Sequence, residues 1–91
     1  MIKIQNFIFA LFLFIGIGSK AQKLENVNFN GQTRSMIVYA PANIPANRPL
    51  VITLHGANQD AQYQMDNTKW NKIADEENIV VVYPNGVDRW W

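Results

Sequence analysis

The sequence predicts an α/β chain in which a β-hairpin precedes a strand–helix–strand unit with parallel strands, an incomplete domain. Three observations carry this. Asn30-Gly31 separates two strand-like runs with a pair of residues that both tolerate positive φ. Two β-branched apolar runs, Leu50 to Leu54 and Ile79 to Tyr83, lack alternation, as strands covered on both faces do. Between them, from Asp60 to Asn78, the apolar spacing becomes helical.

Each element has its own warrant. Leu24 to Phe29 alternates weakly, with Val27 and Phe29 on one face. Thr33 to Tyr39 places Ser35, Ile37 and Tyr39 on one face and Met36 and Val38 on the other. Pro41, Pro45 and Pro49 make the stretch from Ala40 to Pro49 a stiff, exposed connection. In the helical segment Trp70, Ile73, Ala74 and Glu77 share a stripe, with Thr68 as the expected N-cap and Ala61 to Met65 as a separate turn. Trp70 is expected in the core. Pro84-Asn85-Gly86 closes the last strand. A strand–helix–strand crossover of this length sets its two strands parallel.

The N-terminus reads differently. Met1 to Asn6 carry one charge, Lys3, and Phe7 to Gly18 are apolar or glycine. Ser19 and Ala21 offer small residues at the −3 and −1 positions of a cleavage site, which makes residues 1–21 a signal peptide and Gln22 the mature terminus. The apolar run is about a dozen residues, against roughly 20 for a membrane-spanning helix. The protein is therefore expected to be secreted, extracellular or periplasmic, with no membrane attachment after cleavage. No cysteine follows the run, which excludes a bacterial lipoprotein anchor.

Removing residues 1–21 leaves six basic residues against seven acidic ones, with no basic run. That balance gives no footprint for nucleic acid or an anionic membrane. The absence of cysteine excludes disulfides and thiolate metal sites, and a single histidine excludes a multi-histidine site. No metal or cofactor is expected. About seventy residues without such staples are expected to bury only a modest core, so this is either an unusually well-packed domain or part of something larger.

The chemistry concentrates where the Leu50 run meets His55-Gly56-Ala57-Asn58-Gln59. The end of a parallel strand opens on the crevice where α/β sheets bind ligands. Gly56 permits close backbone approach, and the N–H of Ala57 is placed to hold an oxyanion. The same tripeptide also suits a tight turn with Gly56 at positive φ. Gln59, Trp90 and Trp91 are candidate substrate contacts, Arg89 a cation–π partner for the tryptophans. Asp75, Glu76 and Glu77 face different directions on a helix and read as a solvated face. Ser35 lies within a predicted strand and shows no sign of activation.

Taken in order, Arg34 to Pro41 (RSMIVYAP), Pro49 to Gln59 (PLVITLHGANQ), Trp70 to Asp75 (WNKIAD) and Ile79 to Gly86 (IVVVYPNG) resemble the opening of the secreted polyhydroxybutyrate depolymerase and feruloyl esterase group of α/β-hydrolases. The resemblance spans nearly all of Leu24 to Trp91. Members often carry Cys after His-Gly, where Ala57 stands here; a backbone donor survives that change. The resemblance implies an α/β-hydrolase sheet, and an oxyanion-hole loop of His55, Gly56 and Ala57. It also implies a small-molecule or polymeric ester as substrate, a polyester or a hydroxycinnamate ester of plant polysaccharide. It implies that His55 is not the catalytic base, because triad order in this fold is Ser, then Asp or Glu, then His. No G-x-S-x-G occurs in residues 1–91. The expectation is thus a serine ester hydrolase whose triad lies beyond Trp91, with no catalytic residue in this chain and no activity of the fragment alone. The alternatives are a peptidase of the prolyl oligopeptidase type and a non-catalytic secreted binding module.

Overall fold

Four strands and two helices are built from residues 21–91, the part that the computed structural model describes. The expected signal segment, Ala21 apart, lies outside the described residues. Strand β1 (Ala21–Phe29) turns at Asn30-Gly31 into β2 (Gln32–Ala40), with Phe29 opposite Gln32. Both turn residues have positive φ, 50° and 78°, as a type I′ turn requires. After the proline segment come β3 (Leu50–Ile52), helices α1 (Ala61–Thr68) and α2 (Trp70–Glu77), and β4 (Val80–Pro84).

The sheet order is β1-β2-β4-β3. Strands β3 and β4 pair in parallel, Leu50 against Val80 through Ile52 against Val82, and β2 pairs antiparallel with β4. The expected crossover unit and its antiparallel hairpin edge are both present. Strand β4 is central and explains its own composition: Val80 to Tyr83 are buried because both neighbours and both faces cover them. Val81 and Tyr83 join Ile37, Tyr39, Ala61, Met65, Ala74 and Ile79 on the helix side, with Val51 and Trp70 packed against them. Val80 and Val82 join Val38, Ala40 and Ile44 on the other.

Several expectations are corrected. Strand β3 is at an edge of the described sheet, so Ile52 and Leu54 are more than half exposed instead of covered on both faces. The segment after β2 is not wholly exposed: Pro41 is buried, and Ile44 drops into the second core cluster. Arg48 from the same segment donates to the carbonyls of Glu77 and Asn78 at 2.7 and 2.8 Å, satisfying the end of α2.

The helical segment is broken at Lys69, whose φ is 59°. Thr68 is therefore not an N-cap. Its hydroxyl donates back to the Gln64 carbonyl at 2.7 Å and finishes α1. The cap in this region is Asp60, whose carboxylate accepts from the Tyr63 N–H at 2.8 Å. Trp70 is only partly buried, and Ile73 is exposed.

Asp75 does not belong to a purely solvated face. Its carboxylate accepts the hydroxyl of Tyr39, at 2.8 and 2.9 Å to the two oxygens, which ties α2 to β2. Burial, then the bond to Asp75, pushes the Tyr39 phenol up to about 12. Burial also takes Tyr83 to about 12, and its hydroxyl donates to Asn71 Oδ1. Both folded values exceed the unfolded value near 10. The stability they contribute is complete below pH 10 and is lost as pH rises through 12. Denaturant unfolding should therefore show a falling stability between pH 10 and 12, with a flatter profile in Tyr39→Phe. An identical profile in that variant would contradict the assignment.

Candidate active site

The ladder of β3 extends one residue past the strand, because the Thr53 N–H donates to the Val82 carbonyl at 2.9 Å. Side chains then alternate: Thr53 and His55 are buried, Ile52 and Leu54 exposed. Thr53 accepts from the Gln64 side chain at 2.6 Å, which anchors the strand exit to α1. His55 is 3% exposed, although it leads directly into a surface loop.

Residues 56–59 form a β-turn closed by the Gln59 N–H on the Gly56 carbonyl, 3.2 Å. The residue with positive φ is Asn58, at 60°, not Gly56 as a tight-turn reading of the tripeptide would have it. Positive φ at the third position alone is the mark of a type II turn. The remaining amides are nearly all engaged. Gly56 N–H donates to Gln59 Oε1 at 2.9 Å, and Asn58 N–H to the Arg89 carbonyl at 3.1 Å. Ala57 is exposed, and its N–H has no acceptor among the described residues. That amide is open to an acceptor from outside the chain.

His55 holds the turn against the end of β4. Its Nε2 accepts from the Gly86 N–H at 3.2 Å, so the proton of the neutral ring is on Nδ1, which donates to the Gly56 carbonyl at 2.7 Å. Trp91 stacks on the ring at 4.5 Å between centroids and donates from Nε1 to the His55 carbonyl at 2.9 Å. With both ring nitrogens engaged, His55 has no free lone pair for a proton from a nucleophile.

The segment after β4 is equally specific. Val87 and Trp90 exchange backbone hydrogen bonds at 2.8 and 2.9 Å around Asp88 and Arg89, which both have positive φ. Gly86 lies so close beneath this hairpin that a Cβ there would overlap the Trp90 carbonyl. Asn85 links three elements: its amide donates to Ser35 Oγ at 3.0 Å, and its side-chain oxygen accepts from the Ala61 N–H at 2.8 Å. Ser35 is thus a structural partner of Asn85.

Of the residues singled out in the sequence, His55, Gly56, Ala57, Gln59 and Trp91 come together at this corner. Gln59 spends its side-chain oxygen inside the loop, so it is first a brace. Trp90 stands on the hairpin, more than half exposed. The tryptophan ring contact is Trp91 on His55; among the described residues neither tryptophan is stacked with Arg89. Sequence reasoning missed Asn85 as a linker and the Arg89 carbonyl as a brace for Asn58. Only the YPNG string hinted at the first. Among the described residues no group of three or more His, Cys, Asp or Glu could hold a metal ion. No helix among them is long and apolar enough to cross a membrane.

The class that this sheet and strand-exit loop define is the α/β-hydrolase fold. Two solved structures from Staphylococcus aureus share it: a fluorophosphonate-binding serine hydrolase and an S-formylglutathione hydrolase. Each superposes with a TM-score of 0.59, at 23% and 22% identity, over 76% and 75% of this chain and 31% of theirs. No protein-family model matches the chain.

Curated relatives narrow the group. The chain is 52% identical over 56 residues to a bifunctional acetylxylan esterase/xylanase of Neocallimastix patriciarum, which is 62% of this chain and 8% of that one. It is 27% identical to poly(3-hydroxyalkanoate) depolymerase C of Paucimonas lemoignei over 88% of this chain and 20% of that one. Feruloyl esterase B of Thermothelomyces thermophilus is 23% identical over 85% of this chain and 26% of its own length. The chain thus spans about a quarter or less of the curated relatives it matches. The fold is thus that of the α/β-hydrolases, and the sequence is similar to curated proteins named as esterases and a depolymerase.

Proposed function

We propose that residues 22–91 form the N-terminal portion of a secreted serine carboxylic ester hydrolase, and that the Ala57 N–H is one donor of its oxyanion hole. The observation that carries this is the unpartnered Ala57 amide, at the exit of a parallel strand, in a turn whose neighbouring amides are engaged. In ester hydrolysis through an acyl-serine, negative charge develops on the carbonyl oxygen of a tetrahedral intermediate. A fixed N–H at that position binds the charged oxygen more tightly than the ground-state carbonyl, which lowers the barrier. His55, Gly56 and Gln59 hold the donor without taking part in proton transfer.

The serine, the acid and the base are proposed to lie beyond Trp91, so residues 22–91 alone should be inactive. The names of the relatives, two of them esterases and the third a depolymerase, support ester over peptide hydrolysis. The full-length protein should hydrolyse 4-nitrophenyl acetate and lose that activity to a serine-directed fluorophosphonate. Turnover that survives complete labelling would refute the acyl-serine route.

Secretion is proposed on the signal-like N-terminus. Exported material should begin at Gln22 by N-terminal sequencing or intact mass, with Gln22 free or cyclised. An intact Met1 on soluble extracellular protein would contradict it.

A further inference from the structure

The hairpin that follows β4 carries an unfavoured pair of residues at its turn. Val87 and Trp90 close it, and the two residues between them, Asp88 and Arg89, have φ of 50° and 70°. Positive φ at both positions makes a type I′ turn, which favours Asn-Gly, Asp-Gly or Gly-Gly. The turn between β1 and β2 meets that preference with Asn30-Gly31. At the second turn an arginine stands where glycine is favoured, in a region where a Cβ crowds the backbone. Such a residue persists only where its surroundings over-determine it, and strain of this kind gathers at functional sites.

The surroundings are the turn at residues 56–59. The Arg89 carbonyl accepts the Asn58 N–H at 3.1 Å, and Trp91 Nε1 donates to the His55 carbonyl at 2.9 Å. Gly86 donates to His55 Nε2 at 3.2 Å and lacks the Cβ that would strike the Trp90 carbonyl above it. The hairpin thus grips the chain on both sides of Gly56-Ala57. Its bond to Asn58 has a particular consequence. Type I and type II turns differ in the orientation of their middle peptide, here the one joining Ala57 to Asn58. Changing from one to the other rotates ψ of the second residue by roughly 150°. Asn58 tolerates φ of either sign, so its own side chain does not choose between the two forms. The Arg89 carbonyl does, because only one orientation of the middle peptide presents an N–H to it.

We infer that the Val87–Trp90 hairpin is the positioning element of the Ala57 N–H, holding the turn in its type II form before substrate arrives. The inference rests on the oxyanion role given to Ala57 above. A donor lowers the barrier most when it is already aimed and needs no reorganisation during the reaction. Asp88 and Arg89 act through their backbone conformation, with exposed side chains.

The test compares variants of the full-length protein on 4-nitrophenyl acetate. Asp88→Pro forces φ near −65° where 50° is needed, which breaks the hairpin. It should lower kcat about tenfold or more with KM nearly unchanged, as a misaimed donor weighs on the transition state. In the Ala57→Pro background, which has no donor to misaim, the same change should cost nothing further; a merely structural defect would multiply the losses. Asp88→Asn with Arg89→Gly, the pair found at residues 30 and 31, keeps the turn type and should hold kcat within about twofold of wild type. Gly86→Ala lifts the hairpin from beneath and should show the same non-additive loss, which keeps the test open should Asp88→Pro fold poorly. Wild-type kcat in Asp88→Pro or Gly86→Ala beside a slow Ala57→Pro, or losses that multiply, overturns the hairpin's role. So does an Asn-Gly variant as slow as Asp88→Pro. Wild-type kcat in Ala57→Pro instead overturns the oxyanion reading itself, and this inference with it.

Discussion

Ala57→Pro should reduce kcat of the full-length enzyme on an aryl ester by about 100-fold or more, the usual cost of losing one oxyanion donor. The turn makes this substitution unusually clean. Ala57 occupies the second position of a type II turn, where φ near −60° is required and proline is favoured. Gly56, which precedes it, has no Cβ to meet the proline ring. The change therefore removes one N–H and leaves the turn's own hydrogen bond, from Gln59 to Gly56, in place. Ala57→Ser keeps the N–H and should stay close to wild type. KM should change far less than kcat, because the donor acts on charge that develops only in the transition state. Ala57→Pro that folds normally and turns over at the wild-type rate would remove Ala57 from the oxyanion hole.

His55 should prove essential to stability and dispensable as a base. In His55→Ala the Gly86 N–H loses its partner, the Gly56 carbonyl keeps only the Gln59 N–H, and Trp91 loses its stacking surface. Loss of about 2–4 kcal/mol follows from the unsatisfied Gly86 N–H and the space left behind. Urea unfolding of the full-length protein measures it as a lower midpoint at unchanged slope. His55→Gln puts a side-chain oxygen within reach of Gly86 and should recover part of that loss. Its activity separates the two roles. Removing a general base costs about 10²–10⁴-fold, whereas a refolded loop that retains the Ala57 donor should keep kcat within about tenfold of wild type. A stable His55→Gln with a loss at the upper end of the base range would make His55 the base after all.

Much of the sheet was legible because single residue types dictate its parts. Asn30-Gly31 reads as a hairpin since few other pairs accept two positive φ angles. Ile79 to Tyr83 reads as a buried strand since only a central position tolerates five consecutive apolar residues without a polar face. The break at Lys69 was not legible. Lysine has no preference for the left-handed region, and Thr68 offers the same hydroxyl whether it starts a helix or ends one. Ile44 and Arg48 were hidden for another reason: Ile44 shares its cluster with Val80 and Val82, and Arg48 bonds to Glu77 and Asn78, about 30 or more residues away along the chain and beyond any local pattern.

The site divides in the same way. Strand-then-His-Gly marked the loop, and the family resemblance suggested the role proposed for Ala57. The hold on that loop depends on Gly86 and Trp91 meeting His55, contacts 31 and 36 residues apart in sequence. Gln59 was expected to face substrate, but a side-chain amide three residues past a glycine fits the Gly56 N–H first. Tertiary contact, not composition, sets those roles.

On the function proposed above, this chain supplies the oxyanion loop of a serine hydrolase whose nucleophile lies elsewhere in the same polypeptide. Fluorophosphonate labelling of the full-length protein, followed by peptide mapping, tests it most directly. The expected result is one stoichiometric label on a serine carboxy-terminal to Trp91, within a G-x-S-x-G sequence, with Ser35 unmodified. A label on Ser35, or ester turnover by a full-length protein that takes no label at all, would contradict the proposed role of this loop.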